Sequence, residues 1–404
     1  MANNLLTIDM IMNKSLEMFE NELVLTRTCN RQYDDAFAQK GAKIGASVRA
    51  RLPDRCLVTD GPALQVQDDD EQYVNITLTS QKHVGLNFTS SEMTLSLDDF
   101  AERVLKPRIS QLAASVDNDV ANVYKSFYNT VGTPGTTPAT SLVLLQAQQK
   151  LNEQGVPVSP RFLGINPAAN AGLVEGMKSL FNPNTKISSQ FNNGNVANGI
   201  LGYDEVNMTQ SIKVHTTGSR STSDTILVNG AVSTQGTSTI SLDGGTGSAT
   251  IVEGDVFTIA GVYSVNPQTR ESTGSLQQFV CTATNTASSG AWTSVAISPP
   301  IYTATHALAT VDAFPADNAT VTFVGAASTQ YPQNLSYWRD SFTFVTADLV
   351  LPEKAEIAMR KQYNGISLRI VKNYDINSDA FPCRLDVLYG YKALRPAAAT
   401  RVWG

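Results

Sequence analysis

The sequence predicts an α+β chain in which an all-β domain interrupts a mixed parent. Three observations carry this. Apolar residues recur at steps of three and four across residues 98–153, the period of a helix. That period disappears between 216 and 334, where Gly, Ser and Thr dominate and short strand patterns alternate with turn clusters. Two-residue alternation then returns beyond Tyr337. At 404 residues the chain also exceeds the roughly 250–300 residues at which one core stops growing, so several domains or a large insertion are expected.

The elements follow in order. Leu5, Ile8, Met12, Leu16, Phe19 and Leu23 share one helical face, which fits either an ordinary core helix or an arm laid on another chain. From Lys43 the period becomes two: Ile44, Ala46, Val48, Ala50 and Leu52 alternate with Gly45, Ser47, Arg49 and Arg51, a strand with one basic face. Asp68, Asp69, Asp70 and Glu71 follow, and Val74, Ile76 and Leu78 alternate again, so a long two-stranded excursion with an acidic portion is expected. Such a carboxylate run is read as a solvated loop or as a partner for Arg or Lys on a neighbour; EF-hand spacing and its glycine are missing.

Ser96 to Asp99 reads as a capping box ahead of a long helix through Phe100, Val104, Ile109, Leu112, Val116, Val120, Val123 and Phe127, with Pro107 kinking it or starting its main part. Thr133 to Pro138 ends that helix; a second spans about 139–153, an apolar strand 162–165, and Asn166-Pro167 opens a third helix over 168–180. Within the inserted region, strands are expected at 225–228, 256–260, 279–283 and 320–324, separated by turns at 243–247 and 285–290, which suggests a small barrel or sandwich. The parent resumes with strands around Leu368, Ile370 and Val371 and then Leu385, Val387, Tyr389 and Tyr391.

Composition narrows the function. Charged residues are 16% of the chain, against roughly 25% in ordinary soluble domains, which fits either extensive subunit contact or simply a Thr-rich β chain. A net charge of −6 argues against a protein whose main task is gripping nucleic acid. Residues 1–12 lack a basic stretch and Asp9 breaks their apolar run, so no targeting signal or membrane span is expected. Cys29, Cys56, Cys281 and Cys383 are scattered without a CxxC pair, which predicts four reduced thiols in the core. His83, His215 and His306 lie far apart, outside any metal-binding spacing, and read as turn or strand residues. A GxSxG elbow, a phosphate loop and a dinucleotide fingerprint are all missing. The expectation is therefore no catalytic residue, no cofactor and no metal.

In order along the chain, these parts resemble the major capsid proteins of tailed double-stranded DNA bacteriophages, in the short-tailed-phage branch whose coat proteins carry an inserted β-barrel. The likeness rests on the excursion at about 43–90, the helix at about 98–129, Gly155 to Leu163, the strand Gly254 to Val262, and above all the closing stretch. That stretch runs Ser367-Leu368-Arg369-Ile370-Val371, Tyr374-Asp375-Ile376-Asn377, Arg384-Leu385-Asp386-Val387-Leu388-Tyr389-Gly390 and Leu394-Arg395-Pro396.

The resemblance implies the tailed-phage and herpesvirus-type capsid fold. Its expected parts are an N-terminal helical arm (1–42), an extended β loop (43–96), a peripheral domain with a spine helix (97–138), an axial domain (139–215), an inserted barrel (216–336) and an axial and peripheral return (337–404). It implies self-assembly as hexamers and pentamers into an icosahedral shell around DNA, in the virion after assembly in the host cytoplasm. Implied partners are scaffolding and portal proteins, a decoration protein, and DNA contacted non-specifically at the inner face, with no membrane and no cleaved scaffolding segment. The stretch corresponding to the family's bridging hairpin, Ala231 to Gly247, is short and Gly-rich here. Charge pattern offers one inter-subunit contact: Arg49 and Arg51 of one copy against Asp68, Asp69 and Asp70 of another, with two solvated faces as the alternative. The competing functional reading is a β-rich tail or surface receptor-binding protein; the helices at 98–153 and the Arg-Pro close disfavour it.

Overall fold

The computed structural model describes residues 8–32, 47–58, 61–62, 66, 71–88, 105–177, 193–196, 198–221, 224–353, 355–376 and 381–404. It is mixed α+β, with many strands and few helices. Two units separate: Met1–Leu52, Tyr73–Ala121 and Phe342–Leu394 form one; Pro53–Gln72, Asn122–Ser341 and Arg395–Gly404 form the other.

The first unit is organised on the strand Phe381–Ala393. Its residues 381–389 pair antiparallel with Ser80–Phe88, residues 383–386 with Ile366–Lys372, and residues 388–393 with Phe342–Ala347. Ile357–Tyr363 adds a further antiparallel strand. Successive side chains alternate between faces. Leu385, Val387 and Tyr389 are buried on one of them, where the Tyr389 hydroxyl donates to Asp119 of the helix Lys106–Val120 at 2.6 Å. On the opposite face Leu388, Val345, Ala347 and Leu394 pack against Ala50, Ile76 and Leu78.

The helices Ile8–Glu22 and Lys106–Val120 pack together through a stripe that includes Met12, Leu16 and Phe19, so the first helix supplies core side chains within its own unit. Asp117 fixes the turn beyond it by accepting from the backbone N–H groups of Val24, Leu25 and Thr26. Pro107 lies in the first turn of the described helix, where its missing N–H costs nothing. The expected capping box at Ser96 to Asp99 lies outside the described residues. Phe127 is not helical, contrary to expectation: the helix tightens into a 3₁₀ segment at Ala121–Ser126 and stops before the strand Asn129–Val131.

The second unit holds a five-stranded sheet in the order Asn129–Val131, Ala399–Val402, Asn334–Trp338, Arg161–Ile165, Glu205–Met208, parallel at both outer pairs and antiparallel inside. Helices Ser141–Glu153 and Pro167–Gly176 cover it through Leu144, Ala147, Ala169 and Leu173. The expected start at Asn166-Pro167 is borne out, with the Asn166 side chain accepting from the Ala169 N–H at 2.8 Å. Residues 178–180 lie outside the described residues.

Between these parent strands runs a six-stranded antiparallel sheet, ordered Val321–Phe323, Val256–Val265, Ser272–Cys281, Trp292–Ile301, Thr237–Asp243, Leu227–Val228. Its two ends meet. Leu227 bridges Thr320, and the N–H groups of Val228 and Val321 donate to Ala319 and Ile226, closing the sheet into a barrel. Trp292, Phe257 and Phe279 fill its core. Ser272–Gln278 escaped the sequence reading because it is too polar to show alternation, and Thr237–Asp243 because its alternation is confined to Ile240 and Leu242.

Candidate functional site

The basic strand face is real. Ser47–Arg51 and Tyr73–Thr77 form an antiparallel hairpin with Arg49 opposite Asn75 and Arg51 opposite Tyr73. Ala50 and Ile76 turn inward to the apolar cluster, so strand alternation drives Arg49, Arg51, Tyr73 and Asn75 outward together. The Arg49 guanidinium lies 4.8 Å from the Tyr73 ring centroid, an exposed cation–π contact of about 0.5–1 kcal/mol. Arg and Tyr are the residue types enriched where proteins meet. Asp68, Asp69 and Asp70 lie outside the described residues, so the structure brings together only the Arg half of the expected pair.

A second polar centre went unseen in the sequence. Val252 to Asp255 forms a tight turn, the Asp255 N–H donating to Val252 while its carboxylate accepts from the Val252 N–H at 3.0 Å. The same carboxylate accepts from Gly218 N at 3.1 Å, Arg220 Nη1 at 2.7 Å and His215 Nε2 at 2.9 Å. With its proton on Nε2, His215 accepts at Nδ1 from the Tyr124 hydroxyl, 3.1 Å away. Gly254 is required beside it: φ is +100°, and a Cβ there would meet His215 Cε1 at 3.1 Å. Arg401, fully buried, donates from Nη1 to the Gly254 carbonyl at 2.8 Å and lies 5.2 Å from the Tyr124 ring centroid.

The electrostatics suit anchoring. Burial pushes the Asp255 carboxyl up, but the His215 hydrogen bond and the Arg220 guanidinium outweigh it and hold the group below its ordinary 3.8. Burial lowers the Arg401 guanidinium to about 10. Burial also raises the Tyr124 hydroxyl, the opposite of what activating it as a nucleophile needs. The Tyr–His–Asp order therefore ties barrel residues 252–255 to the 3₁₀ segment, and Arg401 ties them to the Ala399–Val402 strand. Only the Gly-Asp turn before an alternating strand signals it in sequence, since His215 and Arg220 are 40 and 35 residues from Asp255.

Of the expected core thiols, Cys29, Cys281 and Cys383 are buried, but Cys56 is exposed: it lies in the non-strand segment after Arg51, where no apolar cluster of the described residues reaches it. Among the described residues no group of three or more His, Cys, Asp or Glu side chains is placed to hold a metal, and no helix is long and apolar enough to cross a membrane.

Comparison with known proteins gives a whole-chain match. Residues 1–402 match the family described as P22 coat protein, gene protein 5. No curated protein matches. Among solved structures, the chain is similar to one from Mycobacterium phage Che8, at 11% identity over 94% of this chain and 90% of that one, with a TM-score of 0.47. It is similar to the capsid structure of the cyanophage P-SCSP1u at 10% identity, over 91% and 85%, with a TM-score of 0.43. The CUS-3 coat protein I-domain is 27% identical, covering 26% of this chain and all of its own, with a TM-score of 0.20.

Proposed function

The chain belongs to the P22 coat protein family, and from that premise we infer how it builds a shell. It is a structural major capsid protein that assembles with copies of itself into a phage capsid, and so a component of the virion. The match over residues 1–402 carries this conclusion.

The finer reading is ours. Hexamers and pentamers tile an icosahedral shell around double-stranded DNA, assembled in the bacterial cytoplasm with scaffolding and portal proteins and, after expansion, a decoration protein. DNA meets the inner face without sequence preference. The subunit works by contact alone, without catalysis; the burial of Tyr124, His215 and Asp255 supports an anchoring role for this relay-like cluster. Within it, 1–42 serves as the helical arm, 43–96 as the extended loop, 97–138 as the peripheral domain with Lys106–Val120 as spine, and 139–215 as the axial domain. Residues 216–336 are the inserted barrel and 337–404 the return. The closed six-stranded sheet supports the fifth of these assignments.

For the contact between copies, we assign Arg49 and Arg51 to meet Asp68, Asp69 and Asp70 of a neighbour. The outward Arg–Tyr face supports it. Many weak contacts of this kind act together in a closed assembly. Negative-stain electron microscopy of the expressed chain, with and without co-expressed scaffold, tests the reading. Closed shells or polyheads are expected from the wild type, and fewer, less stable shells when Asp68, Asp69 and Asp70 are all replaced by Ala. Persistent monomers or trimers with scaffold present would overturn the shell; unchanged assembly and stability of the triple variant would overturn only the contact.

A further inference from the structure

Charge is distributed unevenly over the six-stranded barrel. No Asp, Glu, Lys or Arg occurs in residues 225–242 or 272–311, against 16% charged residues in the chain as a whole. Strand order brings these two stretches together. Ser272–Cys281, Trp292–Ile301, Thr237–Asp243 and Leu227–Val228 are successive neighbours in the sheet, so the charge-free segments lie side by side. Alternation turns Ile240, Leu242, Val295 and Ile297 into the barrel core and leaves the cross-strand pair Thr239 and Ala296 on the outside. Charge resumes only at the rim, with Asp243.

The barrel is docked on one side and open on the other. Val256 and Val280 pack on Tyr128, and the Gln278 side chain pairs with the Thr130 backbone. On the open side Thr239, Thr293 and Ser294 are exposed. Among the described residues, side-chain hydrogen bonds there stay within the barrel, as from Ser241 to the Thr293 carbonyl and from Asn285 to the Ser294 carbonyl. Water-facing surfaces are ordinarily rich in Lys, Glu, Asp and Arg, whereas the covered centre of a protein interface is depleted of charge. A neutral face fits a partner that is neutral as well, because covering an unpaired charge costs more than a few Thr and Ala contacts contribute. The chain's own copy offers such a surface: the chain assembles with copies of itself, and pairing across a two-fold axis sets the same patch on both sides.

We propose that the neutral face of the barrel, centred on Thr239 and Ser294, is an interface between two copies of the chain joined across a local two-fold axis. This contact rests on the shell reading and is separate from the one assigned to Arg49 and Arg51.

Thr239 and Ser294 are both replaced by Glu in one variant and both by Lys in another, each in the full-length chain co-expressed with scaffold. Either variant alone sets like charges against each other at every two-fold contact, and the yield of shells is expected to fall by about tenfold or more. The urea midpoint of the unassembled subunit is expected to stay at the wild-type value, because both positions are exposed in the single chain. Each subunit meets one two-fold mate, so Glu and Lys subunits can alternate across every contact. Co-expression of the two variants is therefore expected to restore the yield to within about threefold of wild type, with both chains present in the shells by mass spectrometry. Shells from the wild type together with normal assembly of both charged variants would show the face to be bare in the shell, overturning the contact and leaving the shell reading intact. The proposal is also overturned if both variants fail and their mixture fails with them, or if only one of them fails, since the face then meets a different surface. Absence of shells from the wild type would overturn the shell reading and this contact with it.

Discussion

Asp255 offers one carboxylate to donors from His215, Gly218, Arg220 and Val252, and its energetic weight follows from what would be stranded without it. Asp255→Ala leaves the Arg220 guanidinium buried and unpaired, which costs about 3–5 kcal/mol and is read from urea denaturation. The sign of the pH effect follows from the depressed carboxyl: its contribution is present above the unfolded value of 3.8 and is lost as pH falls through the lower folded value. Asp255→Asn should therefore be less stable than wild type at neutral pH and show a flatter loss of stability below about pH 4. A variant as steeply acid-sensitive as the wild type would assign that loss to other groups. His215, Gly218 and Arg220 are not visible from Asp255 in the sequence, because pattern arguments reach three or four residues along the chain and these partners lie 35 to 40 away. The sequence pattern places Gly254 and Asp255 in a strand, whereas the strand begins at Val256 and the pair forms the turn before it.

At the scale of the element, the hairpin Ser47–Arg51/Tyr73–Thr77 was legible almost completely, because alternation alone dictates which side chains turn in and which turn out. Its docking was not legible. The Thr77 carbonyl would come within 2.1 Å of a Cβ at position 390, so the glycine of the Tyr389-Gly390 pair is where the hairpin rests on the long strand. The tyrosine of that pair reaches the other way, to Asp119 of the helix. The Tyr389-Gly390 pair thus reduces to two packing demands on opposite faces of one strand. Gly390→Ala should displace the hairpin, cost about 1–3 kcal/mol and hasten tryptic cleavage at Arg51 and Arg55. Unchanged proteolysis would mean that the strand yields instead of the hairpin.

Across the whole molecule, the change of period at about residue 216 exposed the insertion because helical and strand patterning are distinguishable over long windows. Strand ends inside the barrel stayed obscure where polar residues line them, as in Ser272–Gln278. The thiols give a test of the whole fold. Native protein should react rapidly with Ellman's reagent at one thiol, Cys56, and at all four once unfolded, since burial raises Cys281 and pushes Cys383 up to about 12. Rapid reaction at a second site would place one of the buried cysteines outside the core. The meeting of the barrel's first and last strands has a consequence for growth in a crowd of identical chains. An unpaired rim of N–H and C=O groups is a template for adding foreign strands. With the ring shut at Leu227 and Thr320, that route to runaway fibre formation is blocked at the barrel's seam.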